Sequence, residues 1–265
     1  MSAFYGRAVL GGWGVLAALL PACGSVKDPV GADGSTADAW QRSCAPSAPL
    51  ITRVEGGDPF YGDNCIHGGW YLESFNGVTT PATAGLPGRQ TSVAPASITL
   101  GSSSLDPTST FAVHVSGSGQ ANTGTEYAYA QLTAWLNTVS DTEIGTVDAS
   151  QYTGIQFYAI INTGVTGARL TVGNLYTDPS GGICTTTSGP KGCYDNPGAE
   201  LAITTEWTKY QVPFASLTQL GFGNPSPLGD AFPKSAIIHL KWDVGVPMTG
   251  PTAPWELWID DLTFY

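Results

Sequence analysis

SAIIHLKWDV, residues 235–244, alternates with a period of two: Ile238, Leu240, Trp242 and Val244 point one way, Ile237, His239, Lys241 and Asp243 the other. Successive side chains of a strand emerge on opposite faces, so this decapeptide reads as a strand with one apolar face and one mostly polar face. GARLTVGNLY (167–176) behaves alike, with Leu170, Val172 and Tyr176 alternating with Arg169 and Thr171. In GIQFYAII (154–161), Ile155, Phe157, Ala159 and Ile161 share one face, and Gln156, Tyr158 and Ile160 share the other. A common face carrying Gln156, Tyr158, Arg169, Thr171, His239, Lys241 and Asp243 would be polar, with an aromatic ring in it.

Working outward, strands are expected at 50–55, 69–75, 110–116, 126–132, 207–214 and 255–264, with weaker ones at 96–100 and 199–204. Each is β-branched or aromatic and is bounded by Gly, Pro, Asn or Asp. Helical periodicity reaches at most one turn, at Ala134 to Asn137 or Phe214 to Leu220. No repeat of 20–50 residues argues for a propeller or solenoid. Nine to eleven strands without alternating helices predict an all-β fold, an antiparallel β-sandwich of the jelly-roll kind, as one domain over 49–265. Composition agrees, since Gly (34) and Pro (19) make one residue in five and charged residues only 12%. That mixture disfavours a helical bundle, and 42% hydrophobic with 11% aromatic residues disfavours a wholly disordered chain. The net charge of −11 leaves no basic footprint for nucleic acid.

Residues 1–22 read as a secretory signal. Arg7 supplies the positive end, and the apolar stretch Ala8–Leu20 is too short to span a bilayer. Leu20-Pro21-Ala22-Cys23 resembles the bacterial lipobox, which implies an acylated Cys23 and a membrane anchor. Gly24 and Ser25 are not the aspartate that retains such proteins in the inner membrane, so the resemblance points to the outer membrane. Residues 23–48 are small, polar and aperiodic, as expected of a flexible tether. The chain has five cysteines, Cys23, Cys44, Cys65, Cys184 and Cys193. An odd count in an exported protein needs one with another fate, and lipidation of Cys23 leaves four. Three pairings are open to those four, of which two local bridges, Cys44 with Cys65 and Cys184 with Cys193, are simplest. Neither pair has the Cys-x-x-Cys spacing of a zinc site, and disulfides imply a compartment outside the cytoplasm.

Three further phrases carry a resemblance. DASQYTGIQFYA (148–159), WTKYQVPFASLTQLGFG (207–223) and WELWIDDLTFY (255–265) resemble, in order and spacing, the jelly rolls of bacterial carbohydrate-binding modules in the galactose-binding-like superfamily. YTDPSGGICTTTSGPKGCYD (176–195) is similar to a cysteine-bracketed insertion of secreted lipoproteins of this kind. The resemblance covers roughly residues 50–265 and implies a structural Ca²⁺ between the first and last strands. The matching positions are Glu55, Asp58, Asp260 and Asp261, hard oxygen donors suited to that ion. Strict alternation groups Asp260 with Trp258 and Leu262, which leaves Asp261 as the expected ligand.

Sugar binding requires aromatic faces for pyranose C–H surfaces and polar groups for the hydroxyls. Tyr127, Tyr129, Tyr158, Tyr176, Trp135, Trp207 and Trp242 form the pool, and Trp207, Trp242 and Tyr210 alternate as core residues do. Tyr129, Tyr158, Arg169, His239 and Asp243 are therefore the candidate glycan-binding set, with charged hydrogen bonds from the last three. Catalytic signatures are absent from the sequence. No motif pairs two carboxylates, no Gly-x-Ser-x-Gly elbow occurs, and His67, His114 and His239 form no zinc motif. The expected function is non-catalytic glycan binding by a lipid-anchored protein. The alternative is a surface lipoprotein that binds protein, and a hydrolase would need two facing carboxylates. Aromatics beside polar groups on one sheet separate the first reading from the second. The oligomeric state is left open.

Overall fold

The computed structural model describes residues 43–52, 60–63, 66–75, 95–97, 111–117, 129–140, 143–162, 167–186, 189–244 and 255–265. These form two stacked, essentially antiparallel sheets and a small hairpin, an all-β sandwich. One sheet has eight strands. From one edge it runs β13 (Gly198–Leu201), β12 (Ala168–Asn174), β15 (Ile237–Val244), β7 (Tyr129–Trp135), β4 (Ile66–Phe75) and β3 (Phe60–Asp63). At the start of β15 lies β10 (Thr146–Val147), along which β1 (Ser43–Cys44) runs parallel. The second sheet runs β14 (Thr208–Pro213), β11 (Gly154–Asn162), β16 (Trp255–Phe264), β6 (Phe111–Gly117) and β5 (Pro95–Ser97), with β2 (Leu50–Thr52) against the end of β16. The hairpin joins β8 (Thr138–Ser140) to β9 (Glu143–Ile144).

Every expected strand overlaps one of these. The additional ones are two to four residues long, too short for a periodicity to announce them. Ala134 and Trp135 complete β7 rather than a helical turn, whereas Phe214–Ser216 does form a turn of 3₁₀ helix. Strand pairing begins at Ser43, inside the stretch read as tether. Cys184 and Cys193 are bridged. The Cys65 and Cys23 expectations, and those for Glu55 and Asp58, lie outside the described residues, as does the side chain of Cys44.

The core lies between the two sheets. Ile155, Phe157, Ala159 and Ile161 of β11 and Trp255, Leu257 and Ile259 of β16 face Trp70, Leu132, Leu170, Leu240 and Trp242, all buried. Trp242 is the pivot, tilted against Trp70 at 5.7 Å within its own sheet and edge-on to Phe157 of the other at 5.2 Å. Edge-to-face aromatic pairs add about 0.5–1.5 kcal/mol to simple burial, so these contacts fix the spacing of the sheets. Phe214 and Phe232 stack at 5.3 Å and close one end.

In the last strand, alternation fails at one place. Asp261 has φ 48, and two residues of β16 pass one of β11 between the pairs Gln156↔Thr263 and Tyr158↔Asp260. A bulge of this kind resets the facing of the residues that follow. Leu262 and Phe264 consequently point into the core, correcting the grouping of Asp260 with Leu262. The buried carboxylate is Asp260, whose Oδ1 accepts the Asp261 N–H at 2.7 Å, while Asp261 is half-buried.

Candidate functional site

Directly paired residues of an antiparallel sheet point to the same side, so the register of the eight-stranded sheet spells out its outer face. One row reads Gln131, Asp243, Arg169, Glu200; the next reads Tyr71, Thr133, Lys241, Thr171, Gly198; a third reads Gly69, Trp135, His239, Gly173. Arg169, Thr171, His239, Lys241 and Asp243 thus share one face. Tyr129 pairs with Phe75 at the start of β7, and its side chain lies outside the described residues.

Tyr158 and Gln156 do not join them. Their strand β11 pairs with β14 and β16 in the other sheet, where Tyr158 stands opposite Lys209 and Asp260 and faces outward. On the same sheet Trp258 and His114 stack at 3.8 Å, with His114 Nε2 3.5 Å from Glu256. Burial holds the His114 imidazole below its usual pKa despite that carboxylate. Tyr158 and Arg169 are therefore on opposite outer surfaces of the sandwich, and the proposed five-residue set divides.

The face around Arg169 is more enclosed than a solvated sheet. Arg169, Thr133, Thr171, Lys241 and His239 are buried, Gln131, Tyr71 and Asp243 are half-buried, and Glu200 is exposed. Arg169 donates from Nη1 to Glu200 Oε1 at 3.0 Å and from Nη2 to the Thr218 carbonyl. Burial pushes the Asp243 carboxyl up to about 6, against the opposing pull of Lys241, the Gln131 amide and Arg169. Among the described residues, Asp243 Oδ1 and Thr133 Oγ1 are enclosed yet have no hydrogen-bond partner. Enclosed polar atoms of that kind cost free energy unless water or a ligand completes them.

His239 ends the polar rows. It is 1% exposed, its Nδ1 lies 3.3 Å from Asp178 Oδ2, and Trp135 meets the ring edge-on at 5.0 Å. Asp178 also accepts the Ser180 N–H at 2.8 Å. Burial pushes this carboxyl upward, but His239 and the Ser180 N–H outweigh it and hold the pKa near 2. The ring lies flat over Gly173, where a Cβ would stand 2.2 Å from His239 Cε1. His239 is a wedged structural group more than an open donor, which its place on a polar strand face does not reveal.

The sequence-based set omits Tyr71, Gln131, Thr133 and Lys241. The alternation of Tyr129, Gln131, Thr133 and Trp135 with Ala130, Leu132 and Ala134 was a sufficient signal for the middle of this face. Among the described residues no three His, Cys, Asp or Glu stand together as a metal site, and no helix is long and apolar enough to cross a membrane.

No protein family and no curated protein matches the sequence. Among solved structures, the chain is similar to the family 11 carbohydrate-binding module of a cellulosomal cellulase of Clostridium thermocellum, at 13% identity and a TM-score of 0.43, over 74% of this chain and 86% of that one. The same module in complex with a β-1,3-1,4-mixed-linked tetrasaccharide aligns at 13% identity and 0.43, over 78% and 92%. A family 30 carbohydrate-binding module aligns at 12% identity and 0.42, over 74% and 91%.

Proposed function

We propose that the chain is a non-catalytic glycan-binding protein, lipid-anchored through Cys23 in the bacterial envelope, whose ligand lies on the outer face of the eight-stranded sheet. The observation that carries this reading is the row Gln131, Asp243, Arg169 beside Tyr71, Thr133 and Lys241. It combines donors of fixed geometry, carboxylate and hydroxyl acceptors and one half-buried aromatic ring, and two of its oxygens have no partner among the described residues. Sugar hydroxyls are both donors and acceptors and suit such a surface. Calcium belongs to the same proposal through Asp260 or Asp261 with Glu55 and Asp58, and a melting temperature lowered by EDTA supports it.

The test is affinity electrophoresis and calorimetry of the full chain in detergent against soluble β-glucan, xylan and galactomannan. Asp243→Ala and Gln131→Ala are expected to weaken binding at least tenfold, and Gln131→Ala, which removes no charge, to do so without lowering the melting temperature by more than about 3 °C. Tyr158→Ala, on the other sheet, leaves binding unchanged. Unaltered affinity in Asp243→Ala refutes the placement, absence of binding to any glycan refutes the function, and release of reducing ends refutes the non-catalytic reading.

A further inference from the structure

Four large apolar side chains in two loops are about half exposed: Ile183 (51%), Tyr194 (56%), Leu220 (51%) and Phe222 (53%). Scattered surface apolar residues are ordinary, whereas a group of them marks a contact surface. Here the two loops are tied together. The Cys184–Cys193 bridge joins the residues adjoining Ile183 and Tyr194. The next residue, Asp195, is buried, and its carboxylate accepts the N–H groups of Leu220 (3.0 Å), Gly221 (2.8 Å), Phe222 (3.0 Å) and Gly223 (3.2 Å). Asn224 N–H donates to the Gly192 carbonyl at 2.7 Å. Tyr194 has φ 80, a left-handed conformation that is unfavourable for a residue with a Cβ. Its N–H is held by the Thr177 carbonyl at 2.7 Å.

The same loops are fastened to the polar face at two points. Asp178, next to Thr177, reaches His239, and the Thr218 carbonyl, two residues before Leu220, receives Arg169. The two loops are therefore tied to the polar rows on the side of β12 and β13, where those rows end.

We propose that Tyr194 and Phe222 extend the glycan site, so that the ligand is the interior of a long neutral polysaccharide and not a single sugar or a chain end. This rests on the glycan-binding reading. A pyranose presents hydroxyls at its rim and C–H groups on its faces; the polar rows serve the first and aromatic rings the second. One elongated chain crosses from one surface to the other, whereas a short fragment fills only the polar rows. The rigid ties matter because aromatic groups already held in place lose little entropy on binding.

The experiment compares soluble β-glucan, xylan and galactomannan with their own two- and six-sugar fragments, by calorimetry on the full chain. The variants are Tyr194→Asn, which tolerates the left-handed backbone, and Phe222→Ser. Each is expected to weaken polymer binding about three- to tenfold, with fragment affinities within twofold and melting temperatures unchanged. Equal losses for polymer and fragments, or none for either, overturn the proposal while leaving glycan binding intact. So does a change of oligomeric state in the double variant with polymer affinity preserved, which makes the loops a protein interface. Absence of glycan binding by the unaltered chain overturns both readings together.

Discussion

Gly173→Ala tests whether the His239 ring is locked where the structure places it. The added methyl would stand 2.2 Å from Cε1, 2.4 Å from Nε2 and 2.6 Å from Nδ1 of that ring. Ordinary carbon contacts need about 3.5 Å or more, so ring and strand must separate by roughly an ångström. The ring has nowhere to go, with Trp135 edge-on at 5.0 Å and Asp178 Oδ2 at 3.3 Å. Gly173 does not have a left-handed φ, so alanine carries no backbone penalty there. Within a strand alanine alone would gain about 0.5–1 kcal/mol. Overpacking of a buried site costs about 1–3 kcal/mol, and displacing the partner of a buried carboxylate adds to it. A net loss of about 2–3 kcal/mol is expected, a fall in melting temperature of roughly 5–10 °C for a domain of this size. Because the whole effect runs through one ring, it should vanish in a His239→Ala background, where the methyl enters space the imidazole has left. The assay is urea denaturation of both single variants and the double, and the expected coupling is about 2 kcal/mol or more. Equal destabilisation by Gly173→Ala in both backgrounds would refute the wedge.

Asp195→Asn keeps one amide oxygen for four backbone N–H groups, so a loss of about 2–3 kcal/mol is expected by thermal melting; a shift under 2 °C contradicts the role given to this carboxylate. Removing the bridge with Cys184→Ser, or by reduction, should cost about 2–3 kcal/mol from the nine-residue loop it closes, and an unchanged denaturation midpoint argues against it. With pH, the two shifted carboxyls act in opposite directions. Asp243, raised to about 6, binds its proton more tightly in the folded chain, so stability falls by up to about 3 kcal/mol as pH rises from 4 to 6. Asp178, held near 2, contributes stability that is present above about pH 4 and lost as pH falls toward 2. Denaturation midpoints measured from pH 2.5 to 7 should show the upper slope disappear in Asp243→Asn; an identical slope in that variant is the contrary result.

The strands were legible because alternation is local: Leu240, Trp242 and Val244 declare an inner face within a single segment. Membership of a sheet is not local. β11 and β12 are consecutive and both alternate, yet β11 pairs with β14 and β16 while β12 pairs with β13 and β15. Both sheets of a sandwich impose the same period of two, so nothing within 154–176 distinguishes a shared face from opposite ones. Tyr158 was separated from Arg169 for that reason. The bulge at Asp261 was hidden similarly, since a single left-handed residue leaves no mark on composition but reverses the facing of all that follow it. Tyr194 and Phe222 belong to loops without a period, and only the Cys184–Cys193 bridge and the Asp195 carboxylate bring them together.

The charges on the polar face narrow what it can hold. The whole chain has ten Lys and Arg against twenty-one Asp and Glu, and two of the ten, Arg169 and Lys241, are buried side by side in adjoining rows of this one surface. Buried cations without compensation are expensive, and these are compensated, Arg169 by Glu200 at 3.0 Å and Lys241 by the charge of Asp243. Among the described residues the face thus carries four charged groups with almost no net charge. A polyanion would meet no positive field from a protein at −11, and a polycation would compete with cations already paired. An uncharged ligand rich in hydroxyls faces neither obstacle. It accepts from the guanidinium and ammonium groups and donates to the carboxylates, leaving each internal pair in place. Under the proposed glycan-binding reading, the same compensation that lets Arg169 and Lys241 be buried therefore favours a neutral polyhydroxylated ligand.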